Sequence, residues 1–293
     1  MEPISQIDAL KLAAKKNPAL IWYSIVDSAQ NKSLPKILLA NQHQSRCLFA
    51  VAEDSPIAAN APHLVSLDSP LLMSAAWRWI DLHAAHTPCL SILATELSFD
   101  QLYEHLHQLT EIVLPDDDEM FFAFWDPAIL ATLLGAEGDT TLHVRGPILS
   151  DAQRGSMTLH INAWWYWDRT AQLREVQIAP LSEEKISFPM VLNQEQTDAL
   201  VEASVPDHVL YHITQNQAQL LSDIEPSQRY SIVQKLIAKA RNIHIEAMSD
   251  LVNFVCAGLI YKEQFEHNTE VIALLNRVKQ REISLTEALE QMP

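Results

Sequence analysis

FFAFWDPAILATLL, Phe121 to Leu134, decides how the first part of this chain is read. Four of its first five residues are aromatic, Asp126-Pro127 follows, and a run of helix-forming apolar residues completes it. One reading makes Asp126 a catalytic carboxylate at the end of a buried strand. The other makes it the cap of the next helix. Asp is a preferred N-cap, and Pro suits the first helical position because its missing N–H has no intrahelical partner to lose. That local rule accounts for both residues, whereas a catalytic Asp would need a base or metal partner at readable spacing, and none is present. Asp126 therefore marks a strand-to-helix junction.

Outward from that junction, Glu111–Leu114 and Met120–Trp125 flank Pro115-Asp116-Asp117-Asp118-Glu119, which predicts a β-hairpin with an acidic tip. A calcium loop would space its oxygen ligands and normally use a glycine, so the tip reads as a solvated turn. Ser98-Phe99-Asp100-Gln101 fits a capping box, followed by Leu102, Leu106 and Leu109 at helical spacing. Strands are expected at Ala19–Val26, Arg46–Val51, His63–Leu67, Cys89–Thr95, Ser156–Trp167 and Leu173–Ile178. Helices are expected from Pro56 to Asn60 and over Leu71–His83, the latter with Trp77 and Ile80 on one face. From about Phe188 the character changes to helix after helix, with starts at Asn193, Pro206, Pro226 and Ser249 and a capping box at Ser284–Glu287. The expected fold is α+β: an N-terminal α/β lobe over 1–182 with a mixed β-sheet flanked by helices, a linker at 183–188 within the polar stretch LSEEKIS (Leu181–Ser187), and an all-α lobe over 189–293.

Composition narrows the chemistry. The 293 residues are 48% hydrophobic and 19% charged, which describes a globular chain, and no run approaches the ~18 apolar residues of a membrane span. The N-terminal stretch MEPISQIDALKLAAKKNP is polar where a secretory leader needs an apolar core, and Cys47, Cys89 and Cys256 lie far apart and are odd in number. Both features lead to the expectation of a cytoplasmic protein with reduced thiols. The net charge is −17, with 12 basic against 23 acidic residues up to Lys185 and 8 against 14 beyond it. Neither part would be drawn to a phosphate backbone. Glycine is the most telling count: five (Gly135, Gly138, Gly146, Gly155, Gly258), far below the ~7% average usage. They form no GxGxxG, GxxxxGK[ST] or GxSxG, which removes the phosphate-cradling and α/β-hydrolase signatures.

The histidine pairs His83/His86, with Asp81 nearby, and His105/His107 lack HExxH spacing or a clear third ligand. Residues two apart on a helix point away from each other, so His105 and His107 would not share one metal. The aromatic run Trp164-Trp165-Tyr166-Trp167 places Trp165 and Trp167 on one face of a strand and Trp164 and Tyr166 on the other. Both faces buried between helices, or one face open to a protein partner, are the two readings.

Taken in order, several stretches resemble the adaptor, or effector-chaperone, domain family of bacterial type VI secretion. They are Tyr23–Ala29 (YSIVDSA), Leu48–Asp54, Ala61–Leu67 (APHLVSL), Leu102–Leu106 (LYEHL), Leu114-Pro115-Asp116, Phe122–Leu130 (FAFWDPAIL) and His143–Pro147 (HVRGP). Asn193–Gln196 and Leu274–Leu289 resemble the helical tails attached to such domains. Four residues depart from the family pattern: Ala123 and His107 stand where it has arginines, and Val144-Arg145 where it has two phenylalanines before Gly-Pro. The resemblance implies a non-enzymatic cytoplasmic adaptor without cofactor or metal. Such a protein binds one type VI effector through a short helical or loading segment and promotes its loading onto the VgrG spike. It implies structural roles for Asp126, Pro127, Gly146 and Pro147, and the candidate partner contacts are Trp77, Trp79, Trp164 and Tyr166. The competing expectations are an immunity-type protein that blocks a toxin, for which acidic character suits a basic toxin site, and a metal-dependent hydrolase using His83 and His86.

Overall fold

The computed structural model describes residues 7–38, 44–86, 89–180, 182–184 and 186–293. The expected linker contains Lys185, and the stretch LSEEKIS also Leu181; both lie outside the described residues. The chain forms an α+β protein and divides into two compact units, Met1–Leu200 and Val201–Pro293.

In chain order the first unit contains α1 (Ile7–Lys16), β1 (Ile21–Asp27), α2 (Leu34–Leu38), β2 (Ser45–Cys47), β3 (Pro62–Leu67), α3 (Ala75–His83), β4 (Leu90–Thr95), α4 (Phe99–His107), β5 (Glu111–Val113), β6 (Glu119–Phe121), α5 (Pro127–Leu134), α6 (Asp151–Met157), β7 (Ile161–Trp167), β8 (Leu173–Glu175) and β9 (Met190–Val191). Six strands form one sheet in the order β2-β3-β1-β4-β7-β8, every neighbouring pair antiparallel. A small mixed sheet, β6-β5-β9, pairs β5 antiparallel with β6 and parallel with β9.

The six-stranded sheet is covered on both sides because its strands are apolar at alternate and intervening positions alike. Tyr23, Ile25, Leu93, Trp164 and Tyr166 face a core shared with Leu102, Leu106, Phe124, Leu130 and Met190. Trp22, Val26, Ile92, Trp165 and Trp167 face the other way, against Leu10, Leu34, Trp77 and Ile80. On that side Trp22 stacks on Trp165 with centroids 5.5 Å apart and meets Trp77 edge-on at 6.0 Å.

Local departures from expectation each have a cause. Ser156 and Met157, read as the start of a long strand, close α6 instead, because Ser150 and Gln153 form a reciprocal capping box. The helix expected from Leu71 begins at Ala75, behind a 3₁₀ turn at Pro70–Leu72. The strand expected over Met120–Trp125 ends at Phe121, and its remaining aromatics, Phe122, Phe124 and Trp125, are buried in the core.

α7 (Gln194–Asn216) runs across the unit boundary and carries Pro206 in its interior, so Pro206 does not start a separate helix. The second unit continues with α8 (Pro226–Asn242), α9 (Met248–Tyr261), α10 (Gln264–His267), α11 (Thr269–Lys279) and α12 (Leu285–Glu290) around a core of Val209, Val233, Ile237, Phe254 and Val271. Among the described residues no helix is long and apolar enough to cross a membrane.

Candidate functional site

The opening stretch supplies both a capped strand-to-helix junction of the first unit and an exposed aromatic, Phe121. Asp126 Oδ1 accepts from the Ala128 N–H at 2.9 Å, with Pro127 at the first helical position of α5. Downstream, the backbone of Gly146 lies against α5 so closely that a Cβ there would overlap the Thr132 carbonyl oxygen. No side chain fits without moving backbone, and Gly146-Pro147 is a cis peptide.

Before the junction, β6 is the outer strand of the small sheet, and Glu119, Met120 and Phe121 are all exposed. Phe121 retains 58% of its accessible surface and Met120 49%, although Phe122 and Phe124 next to them are buried. The Phe121 ring stacks on half-buried Phe49 at 4.6 Å, and Phe49 meets Trp125 edge-on at 5.4 Å. The acidic turn Asp116–Glu119 leads directly into this edge, with Asp117 in the left-handed region (φ 66°). An exposed aromatic step beside a strand edge that is unpaired among the described residues is a surface to which an extended segment can add, backbone to backbone, with side chains seated on the rings.

A second feature is a polar cleft of about 610 Å³ that Ser28, Lys32, Lys36, Arg46, Glu53 and His63 help to line. His63 Nδ1 lies 3.0 Å from both Ser28 Oγ and the Ala61 carbonyl oxygen, and its Nε2 lies 3.4 Å from Glu53 Oε2. These are the residue types of a nucleophile, base and orienting acid. The Ala61 oxygen can only accept, however, so a proton on Nδ1 satisfies it and leaves that nitrogen unable to take the serine proton. Ser28 is also buried, at 1% exposure. The cluster ties the end of β1 to the start of β3. Glu53 Oε1 further accepts from the Cys47 N–H at 2.8 Å. Arg46 lies 4.4 Å above the Tyr103 ring centroid and donates to Asp100 at 2.8 Å. Ser28, Arg46, Glu53 and His63 are thus each already engaged with neighbouring groups.

The expected partner contacts stand elsewhere. Trp77 and Trp164 have 0% exposure and Tyr166 1%, so the expectation of partner contact through these three is corrected: they are core residues. Trp77 donates its indole N–H to the Asp68 carbonyl at 2.8 Å, Trp164 donates to Ser91 Oγ at 2.9 Å, and Tyr166 donates to Asp139 Oδ2 at 2.6 Å. Burial and then the Asp139 carboxylate push the Tyr166 phenol well above its ordinary range. Trp79 is half-buried and packs on His83 with centroids 5.1 Å apart. Phe121, exposed in the first unit and stacked on half-buried Phe49, escaped the sequence reading. The signal for it was the acidic turn, which marks a hairpin whose outer strand need not be covered.

The histidine pairs are not assembled into a site. His105 Nε2 donates to the Met157 carbonyl at 2.9 Å and burial lowers its pKa, while His107 Nδ1 donates to the Leu48 carbonyl at 2.7 Å. The side chain of His86 lies outside the described residues. Among the described residues no group of three or more His, Cys, Asp or Glu side chains could hold a metal ion.

The fold and these surfaces define a class: a two-unit α+β protein whose first unit carries an exposed aromatic sheet edge. A family profile described as a domain of unknown function (DUF4123) matches residues 22–144. That segment, somewhat under half of the chain, contains the cleft, the β6 edge and the Asp126 junction. Comparison with curated proteins and with solved structures returns no match.

Proposed function

We propose that the chain is a non-enzymatic cytoplasmic adaptor that binds one type VI secretion effector and promotes its loading onto the VgrG spike. The observation that carries this reading is the β6 edge, where Phe121 and Met120 are exposed on an outer strand inside the segment matched by the family profile. The profile's span also includes most of the motifs on which the type VI resemblance rests, from Tyr23–Ala29 to Phe122–Leu130. A large apolar side chain kept on the surface beside free strand hydrogen-bonding groups costs solubility, which a contact function offsets. The geometry of the Ser28–His63–Glu53 cluster, occupied by its own backbone acceptor, also favours a binding role over catalysis.

The test is co-purification of the tagged chain from cells that also express the effector and spike encoded beside it. A stable complex is expected, with the effector insoluble or unexported when this chain is absent. Phe121→Asp should reduce recovery about tenfold or more, in keeping with loss of an aromatic hot spot, while the far-ultraviolet circular dichroism stays unchanged. Absence of any complex at low and moderate salt would overturn the reading. A complex that abolishes the effector's toxicity without supporting its export would instead make the protein an immunity factor.

A further inference from the structure

The β6 edge carries groups that specify its guest more closely than exposure alone does. The Leu114 N–H donates to the Asp118 carbonyl and the Phe122 N–H to the Thr110 carbonyl, each at 2.8 Å. In an antiparallel ladder those two bonds bracket the pair Ile112–Met120. They leave Glu111–Phe121 and Val113–Glu119 as the closely spaced pairs that exchange no hydrogen bonds. The N–H and C=O groups of Glu119 and Phe121 therefore point away from β5, toward the open side of the sheet. Among the described residues neither backbone has another partner there. Side chains alternate across a strand, so Phe121 and Glu119 share one face with Glu111. Met120 shares the other face with Ile112 and Met190, both buried. From Glu111 to Phe121 the chain holds five carboxylates and no Lys or Arg, and all five are exposed. Among the described residues none of the five is paired with a cation.

We infer that this edge takes an extended partner segment in which Lys or Arg alternates with apolar residues, the cations on the Phe121 face and the apolar side chains on the Met120 face. The inference rests on the adaptor reading for a polypeptide guest at this edge, and adds the guest's conformation and charge. Conformation follows from the backbone. The outward groups of Glu119 and Phe121 stand two residues apart, the spacing at which a neighbouring strand presents its own. A helical guest bonds its N–H and C=O groups internally and would leave those of β6 to water. Charge follows from the side chains. The Phe121 ring lies between two carboxylates, Glu111 across the ladder and Glu119 along the strand. That arrangement suits a cation whose stem lies on the ring while its head meets the carboxylates. An acidic segment would instead set like charge opposite Glu119, which is destabilising. Met120 carries the buried Ile112–Met190 row out to the sheet edge and so calls for apolar side chains on its face. A slip of one residue would exchange the two faces, so the same pattern fixes the register.

The decisive experiment titrates the full-length chain into short fluorescein-labelled peptides and follows anisotropy at about 150 mM salt, where attraction between distant exposed charges is screened. One peptide alternates Arg with Val, and a second has Glu in place of each Arg. Two more repeat the first with N-methyl groups on the Arg amides or on the Val amides, which lie on opposite edges of an extended chain. The Arg peptide is expected to bind about tenfold or more tighter than the Glu peptide. Methylating one edge should weaken binding about tenfold or more, and methylating the other should leave it near the unmodified value, because only one edge pairs with β6. The double variant Glu111→Gln with Glu119→Gln, similar in size and uncharged, should cut the preference for Arg to about threefold or less. No measurable binding of the Arg peptide, an undiminished preference in the double variant, or equal binding of the two methylated peptides would overturn the inference. Effector recovery that falls with Phe121→Asp and is unchanged in the double variant would also overturn it and leave the adaptor reading standing. Failure of the wild-type chain to recover any effector, with the peptide preferences as expected, would overturn the adaptor reading and leave the specificity of the edge in place.

Discussion

Two aromatic runs of this protein have similar compositions and opposite fates. In β7, Trp164-Trp165-Tyr166-Trp167 lies one strand in from the edge of the six-stranded sheet and every ring is buried, none more than 6% exposed. In the run that begins at β6, Phe122, Phe124 and Trp125 are buried while Phe121 keeps more than half of its surface. Aromatic density alone therefore does not distinguish core from contact surface. What distinguishes them is how many neighbours the strand has, which is a property of pairing between distant segments.

The sharpest way to break this comparison is to truncate one ring from each run. Trp164→Ala removes a fully buried indole, its hydrogen bond to Ser91 and its edge-on contact with Phe124 at 6.2 Å. A loss of about 3–5 kcal/mol in denaturant unfolding free energy is expected. Phe121→Ala should cost less than about 1 kcal/mol in the same measurement, since most of its surface is already in water. Equal losses would mean that the β6 edge is structural and would remove the basis for a contact role.

Gly146→Ala probes the close approach of the downstream segment to α5. The new methyl would meet the Thr132 carbonyl, backbone rather than a flexible side chain, so the segment after α5 must shift. A loss of about 1–3 kcal/mol is expected, in the range of overpacked sites. No change in unfolding midpoint would show that this segment is free to move away from α5.

A smaller effect is expected at Asp126. Asp126→Ala removes the acceptor for the Ala128 N–H and should cost about 1 kcal/mol, with Asp126→Asn restoring most of it because an amide oxygen caps as well. A catalytic carboxylate would not be rescued by the amide, so this pair also separates the two readings with which the sequence began.

The legible parts of the fold were those decided within a few residues. Asp126-Pro127 and Ser98–Gln101 carry their caps in the sequence, and the caps form where the residues stand. Ser150-Asp151-Ala152-Gln153 carries the same signal, but the alternating run from Ser156 onward reads as strand and takes in the last two residues of α6, Ser156 and Met157. β9 was not legible. Met190–Val191 is two residues long and becomes a strand only because Ile112 and Val113 pair with it from nearly eighty residues away. The same non-local dependence hid the site: among the described residues β6 has a single strand partner and Phe121 is exposed, whereas β4 and β8 flank β7 and Trp164 is buried.

The smallest expected effect concerns two buried aspartates at strand ends, which share a residue type and differ in the sign of their linkage. At Asp168, at the end of β7, burial opposes ionisation, but donation from Thr170, Gln172 and Arg174 outweighs it and holds the carboxyl below its ordinary value. The unfolded chain then binds more protons than the folded one. Asp168 thus contributes stability above the ordinary carboxylate range that is lost as pH falls through it and below. At Asp27, ending β1, burial is the largest influence and the N–H groups of Ala29 and Gln30 only partly offset it, so its value is raised. Here the folded state holds the proton longer, and ionisation near neutral pH is a small penalty that disappears on acidification. Asp27→Asn keeps an oxygen acceptor for the Ala29 N–H without the charge. Its unfolding free energy should therefore equal or exceed that of the wild type at pH 7, with the advantage shrinking toward pH 4. Asp168→Asn should be less stable than the wild type at pH 7 and converge with it below the carboxylate range. Parallel pH profiles for the two variants would mean that burial, rather than the count of donors facing each carboxylate, sets both.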